Sequence, residues 1–207
     1  MSWTEIETLD ELVDLVGEPL PRVRDKVRRS LVDADRDWLA ATPFCMVATG
    51  DELGNLDVSP KGDPAGQLVH VLDEVTIAIA ERPGNRRMDG YKNVLVNPHV
   101  GVNFVIPGRG DTLRINGRAR LIREAPFLEE MAIRGRRPIL ALVVDIEEVF
   151  HHCAKAFLRS SLWDPETWHP TDRVPPRAVL ARTVDRDPRS PEELDSYYGA
   201  RYAEALY

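Results

Sequence analysis

The residues from Asp111 to Leu121 read D-T-L-R-I-N-G-R-A-R-L, and their alternation restricts what this chain can fold into. Leu113, Ile115, Ala119 and Leu121 share one face of an extended strand, with Gly117 in the same register; Arg114, Asn116, Arg118 and Arg120 take the other face. Successive strand side chains point to opposite sides, so this period of two describes one buried and one wet face. Sheets of parallel strands, covered on both sides by helices, do not read this way; antiparallel sheets and barrels do. Short β-prone runs surround it. Phe44–Thr49 and Leu56–Ser59 flank the turn-rich G-D-E-L-G-N, and Leu68–Leu72 and Thr76–Ala80 flank Asp73-Glu74. Val100–Ile106 and Ile139–Ile146 are further apolar runs, with a helix expected around Phe127 to Ile133. Strands this short and evenly spaced, with few helices between them, favour a closed or nearly closed barrel over a doubly wound α/β fold.

Helical patterns flank this β region. Thr8 and Glu11 form a capping box, Leu9, Leu12, Val13 and Val16 share a face, and Gly17 ends the run. Pro19 and Pro21 open a second expected helix with Val23, Val27, Leu31 and Ala34 inward and a solvated basic face of Arg22, Arg24, Lys26, Arg28 and Arg29. A short helix is expected to start over Asp35 to Leu39 and end before Pro43, and another runs from Cys153 to Leu162 and sets Lys155 and Arg159 one turn apart. Beyond Trp163, Pro165, Pro170, Pro175, Pro176 and Pro188 read as an extended arm, and Ser190-Pro191-Glu192-Glu193 starts a terminal helix bearing Leu194, Tyr197, Tyr198, Tyr202 and Leu206. Its aromatic stripe reads as core or dimer contact. The expected organisation is a helical segment over 1–42, a β domain over 43–163 and an arm with a helix over 164–207.

The chemically distinctive stretch is E-R-P-G-N-R-R-M-D-G-Y-K-N-V-L-V-N-P-H, after the strand Thr76–Ala80. Arg82-Pro83-Gly84 breaks the strand, Asn85 is suited to cap a helix, and Met88, Tyr91 and Leu95 recur at helical spacing, as its buried side, until Asn97-Pro98. A strand, a Pro-Gly turn and a helix start would gather Arg82, Arg86 and Arg87 at free backbone N–H groups. Helix N-termini carry partial positive charge and guanidiniums grip phosphate oxygens in pairs, so the turn reads as a phosphate site. An isolated arginine pair would instead read as a solvated basic face.

D-V-S-P-K-G-D-P, I-A-E-R-P-G-N-R-R, N-P-H-V-G and D-T-L-R-I-N-G-R-A-R-L, in this order, resemble the pyridoxamine 5′-phosphate oxidase-like flavoproteins, in an uncharacterised subgroup. The resemblance runs from about Trp38 to Trp163. It implies an α+β, mainly β fold: an antiparallel split β-barrel of about six to seven strands, with N-terminal helices and peripheral C-terminal helices. It also implies a homodimer with FMN at the subunit interface. On this resemblance Asn85, Arg86 and Arg87 hold the phosphate, Arg82 stands beside them, and Lys61 is a phosphate or ring contact. Asp57, Val58 and Ser59 run along the flavin, the segment from Ile79 to Glu81 passes under its ring, and Thr112 and Arg114 approach its pyrimidine edge. Lys155 belongs to a late segment that lies near the flavin, often across the dimer. A deazaflavin or a haem in the same fold, or a non-catalytic flavin-binding or sensor module, remain as alternatives.

Composition narrows the rest. Net charge of −7 over 207 residues excludes a general binder of nucleic acid or acidic membrane, so an anionic cofactor needs a local basic pocket. Cys45 sits in an apolar strand and Cys153 follows His151-His152; neither belongs to a C-x-x-C pair, and no metal centre is expected. The N-terminus is acidic, without a basic leader, and no apolar run approaches the ~20 residues of a membrane span, so a cytoplasmic protein is expected. No G-x-S-x-G, G-x-G-x-x-G or P-loop occurs, and no catalytic residue is assigned. A second phosphate-gripping cluster is missing as well, which argues against pyridoxamine phosphate as the substrate. An oxidoreductase on an unidentified small molecule is the expected function.

Overall fold

A computed structural model of the protein describes residues 1–169, 173–199, 202 and 206. Three helices precede the sheet: α1 (Leu9–Val16), α2 (Pro21–Arg24) and α3 (Asp33–Ala41). The strands are β1 (Phe44–Gly50), β2 (Leu56–Gly62), β3 (Val69–Val71), β4 (Thr76–Glu81), β5 (His99–Val105), β6 (Thr112–Ile122) and β7 (Leu140–His152). Helices α4 (Asp89–Val96) and α5 (Phe127–Glu130) interrupt them, and α6 (Lys155–Ser160), α7 (Arg177–Thr183) and α8 (Pro191–Tyr197) follow.

All seven strands form one antiparallel sheet in the order β2-β1-β5-β6-β7-β4-β3. Its concave side encloses the main core, with Val47, Ile77, Ile79, Val102, Phe104, Leu113, Ile115 and Val144 buried. The two sheet ends, β2 and β3, do not pair, so the barrel is split. Strand β6 carries the alternation read from the sequence: positions 113, 115, 117 and 119 are buried, while 114, 118 and 120 are exposed. A bulge against β7 falls at Asn116/Gly117. There a Cβ on Gly117 would lie 2.1 Å from the backbone oxygen of Asp145, so only glycine admits the close approach. Strand β4 is buried on both faces, because Ala78 and Ala80 pack outward with Leu128 and Met131 beneath α5.

The flanks depart from expectation. The capping box of α1 forms, with Glu11 N–H donating to Thr8 Oγ1 at 3.2 Å, yet α1 buries none of its residues and Leu9, Leu12 and Val16 are exposed. A cap fixes where a helix starts, not what its apolar stripe meets. The second helix is only the single turn α2. Val23, Val27 and Ala34 are exposed and Leu31 alone of that set is buried. Arg28 instead pairs backbone to backbone with Val149 of β7, and Lys26 Nζ donates to the His151 carbonyl at 2.6 Å, so these two leave the expected solvated face. Helix α3 begins at Asp33, two residues before the expected start, and ends before Pro43 as expected.

Strand β7 runs to His152, six residues past expectation, because β6 offers partners as far as Thr112. The C-terminal arm is not simply extended. α7 packs Ala178 and Ala181 against Leu194 of α8, with Tyr198 alongside. The terminal helix stops at Tyr197, before Tyr202 and Leu206, and Pro170 of the expected arm lies outside the described residues. Among the described residues no helix is long and apolar enough to cross a membrane.

Candidate functional site

Strand β2 is the edge of the split, and its register decides what faces the opening. Thr49, Val47 and Cys45 of β1 point into the barrel, and their partners across the ladder are Asp57, Ser59 and Lys61. Opposed residues share a face, so these three polar side chains take the inward side of a strand with no further neighbour. Across the split stands the end of β4 with the segment leading to α4. Together they line a groove of ≈ 510 Å³, from Asp57 to Gly62 on one wall and from Ala80 through Glu81, Arg82 and Gly84 to Asp89 on the other. That volume lies within the range of small-molecule sites.

Lys61 bridges the opening. Its Nζ lies 2.5 Å from Glu81 Oε2 and 2.7 Å from Tyr91 Oη, and Tyr91 donates its hydroxyl hydrogen to Glu81. Burial first, then the hydrogen bond to Glu81 and its charge, push the Tyr91 phenol well above its ordinary pKa, so it stays protonated. Sequence reading placed Tyr91 in the core; its contact with Lys61, 30 positions away, has no local signature.

The arginine turn differs from expectation in two respects. The helix begins at Asp89, not at Arg86, and no side chain caps it. Asn85 Oδ1 accepts from the Arg87 N–H at 2.9 Å in a local turn, with Arg86 in the left-handed region at φ 61°. Moreover, Arg82 does not join the other arginines. Its Nε donates to Asp63 Oδ2 at 2.8 Å and its Nη2 to the Met131 carbonyl at 2.9 Å, with the Asp63 side chain only 1% exposed. Arg82 therefore ties the end of β4 to the chain following β2 and α5. Arg87 is exposed and held to Asp89 at 2.6 Å, whose carboxyl that hydrogen bond keeps below its ordinary pKa. Arg86 is exposed, with no side-chain hydrogen bond or ion pair among the described residues.

Helix α4 presents Val94 and Tyr91 inward, whereas Met88 and Leu95, expected to be buried, are 52% and 74% exposed. Gly90 lets α4 approach β2: a Cβ there would stand 3.3 Å from Asp57 Oδ2 and 3.4 Å from Thr49 Oγ1.

Of the residues expected from the sequence, Asp57, Val58, Ser59, Lys61, Glu81, Arg82, Asn85, Arg86 and Arg87 all line this one groove. Val58 contributes backbone there, since its register turns the side chain to the outer face. Thr112 and Lys155 do not line it. Thr112 is buried opposite His152 at the start of β6, and Lys155 opens α6. Arg114 lies on the outer sheet face, in a shallow depression with Met46, Asn103 and His152. Among the described residues no group of three His, Cys, Asp or Glu could hold a metal ion.

The family model described as pyridoxamine 5′-phosphate oxidase matches residues 31–153, more than half of the chain. No curated protein matches. Among solved structures, HupZ of Group A Streptococcus is 22% identical with a TM-score of 0.46, covering 58% of this chain and 93% of its own. A putative pyridoxamine 5′-phosphate oxidase from Lactobacillus delbrueckii is 21% identical, TM-score 0.46, over 59% of this chain and 95% of its own. A FAD-binding protein from Mesorhizobium loti is 16% identical, TM-score 0.40, over 60% of this chain and 96% of its own.

Proposed function

Because the chain belongs to the pyridoxamine 5′-phosphate oxidase family, we propose that it is a flavoprotein holding FMN in the groove between β2 and the β4–α4 segment. The observation that carries this reading is the Asn85–Arg87 turn at one wall of that groove, where Arg86 has no partner among the described residues and α4 begins uncapped. An unpaired guanidinium beside free helix-start N–H groups suits a phosphate. Arg86, Arg87 and Asn85 hold the phosphate in this reading, and the edge of β2 from Asp57 to Ser59 runs along the ring system. Lys61, oriented by Glu81 and Tyr91, faces the ligand with a positive charge fixed in place. Bound FMN would supply hydride chemistry, with the protein positioning it and tuning it electrostatically.

The proposed activity is an oxidoreductase on a small molecule other than pyridoxamine phosphate. The proposed assembly is a homodimer whose second copy brings Thr112, Arg114 and Lys155 to the flavin, in the cytoplasm. Purified protein should be yellow and release roughly one FMN per chain on denaturation. Colourless protein that takes up no added FMN would refute the reading, and preference for a deazaflavin in competition would overturn FMN. Reduction of bound flavin by NADH or NADPH no faster than that of free FMN would leave a binding module and remove the enzyme.

A further inference from the structure

The split of the barrel is bridged at one point by side chains. Lys61 at the end of β2, Glu81 at the end of β4 and Tyr91 on α4 form a closed triangle of hydrogen bonds, and Lys61 and Glu81 also line the groove. We propose that Glu81 and Tyr91 are positioning residues that hold the Lys61 ammonium toward the ligand, so that the groove favours a bound flavin in its reduced, more negative form. This deepens the flavin reading above and rests on it.

Tyr91 gives its one hydroxyl hydrogen to Glu81, which leaves the phenol oxygen to accept from Lys61 Nζ at 2.7 Å. Lys61 donates a second N–H to Glu81 Oε2 at 2.5 Å. An ammonium has three donors, and the third has no hydrogen-bond partner among the described residues. An unheld lysine swings on a flexible stem. This one is fixed by two hydrogen bonds and by the Tyr91 ring, whose centroid lies 4.7 Å from Nζ. The Lys61 and Glu81 side chains are 17% and 23% exposed, so water screens the group only in part. Pairing with Glu81 makes Lys61 a poorer phosphate anchor than Arg86, which has no partner among the described residues. A paired ammonium acts at short range, on what its free N–H touches. When a hydride donor reduces a flavin, the ring takes both electrons and the hydrogen nucleus and gains one negative charge; the donor is oxidised and becomes one unit more positive. A charged N–H oriented before that gain stabilises it without reorganising. A clamp that only closed the split would change stability, and the binding of both flavin forms together.

The test is the midpoint potential of FMN bound to the full-length protein, read against a reference dye, with titration of oxidised FMN in parallel. Tyr91→Phe keeps the ring but frees Lys61 from one anchor and takes a hydrogen-bond donor from the Glu81 carboxylate; both changes disfavour added negative charge. It should weaken reduced FMN about ten-fold relative to oxidised FMN, a fall of about 30 mV for a two-electron couple. Lys61→Gln, which removes the cation, should lower the potential at least as far. Glu81→Gln, whose amide oxygen still accepts from Lys61 but carries no charge, should raise it. Potentials of Tyr91→Phe and Lys61→Gln equal to wild type, or three variants that all shift in one direction, would overturn the inference and reduce the triangle to a clamp. The FMN site would still stand in that case, because oxidised FMN binds. Wild type that binds no FMN would instead refute the flavin reading beneath it.

Discussion

Asp35 is a carboxylate with no exposure to solvent, and neutralising it should destabilise the protein in a pH-dependent way. Its oxygens accept from Arg28 Nη1 at 2.5 Å, Arg28 Nη2 at 3.0 Å and the Val32 N–H at 2.9 Å, and His151 Nε2 lies 3.2 Å away. This cluster fastens the segment before α3 to the outer end of β7. Asp35→Asn keeps the size and the helix-start acceptor but removes the charge. Breaking a fully buried pair costs roughly 3–5 kcal/mol. Here the Arg28 side chain is 33% exposed and regains some water. We therefore expect about 2–3 kcal/mol, the range of a charge-assisted hydrogen bond. For a chain of this size that is roughly 4–12 °C in Tm.

The sign with pH follows from the carboxyl. Burial alone would raise its pKa, but the Arg28 hydrogen bonds, the Val32 N–H and the nearby charges outweigh burial and hold it below the ordinary value. Stability from a depressed carboxyl is fully present above the unfolded-state pKa of about 3.9 and is lost as pH falls through the folded-state pKa. Thermal unfolding of apo wild type and Asp35→Asn should therefore differ at pH 7 and converge in acid. Equal Tm values at pH 7, or a gap that widens on acidification, would refute this account.

Arg82→Ala should destabilise the flavin-free protein by roughly 3–5 kcal/mol, because it abandons an ion pair with the buried Asp63; urea midpoints equal to wild type would return Arg82 to the ligand set. Gly117→Ala should cost about 3 kcal/mol or more, since the new methyl meets the Asp145 backbone at 2.1 Å; a loss under about 1 kcal/mol in the same assay would contradict the register of β6 on β7. A thiol reagent at pH 8 should label Cys153, which is exposed, and spare Cys45, whose pKa burial pushes up to about 12. Two thiols labelled at comparable rates in native protein would show that β1 is not closed into the core.

Where the sequence was legible, the reason was a strong local rule. The alternation of β6 allowed one register, and D-V-S-P-K and R-P-G-N-R-R met across the split although about twenty positions separate them. What it hid was partner choice. Three arginines on one turn look alike, but Asp63 takes Arg82 and Asp89 takes Arg87, and only the fold reveals which remains available. Tyr91 looked like core because aromatic residues at helical spacing usually are; its hydroxyl finds Lys61 only once β2 is the sheet edge. The helix start slipped from Arg86 to Asp89 because Asn85 used its side chain for a local turn. The apolar stripe of α1 predicted burial that the chain alone does not provide.

The most direct test of the site is FMN titration of wild type against the Arg86→Ala/Arg87→Ala double variant, with thermal unfolding of both apo forms. Both side chains are exposed, so the apo forms should unfold at nearly the same temperature. Each charge-assisted hydrogen bond to phosphate contributes roughly 1.5–3 kcal/mol, so losing several should weaken FMN by orders of magnitude. Added FMN should raise the unfolding temperature of wild type and not that of the variant, by mass action. An equal FMN response in the double variant would place the phosphate elsewhere and contradict the assignment of this turn.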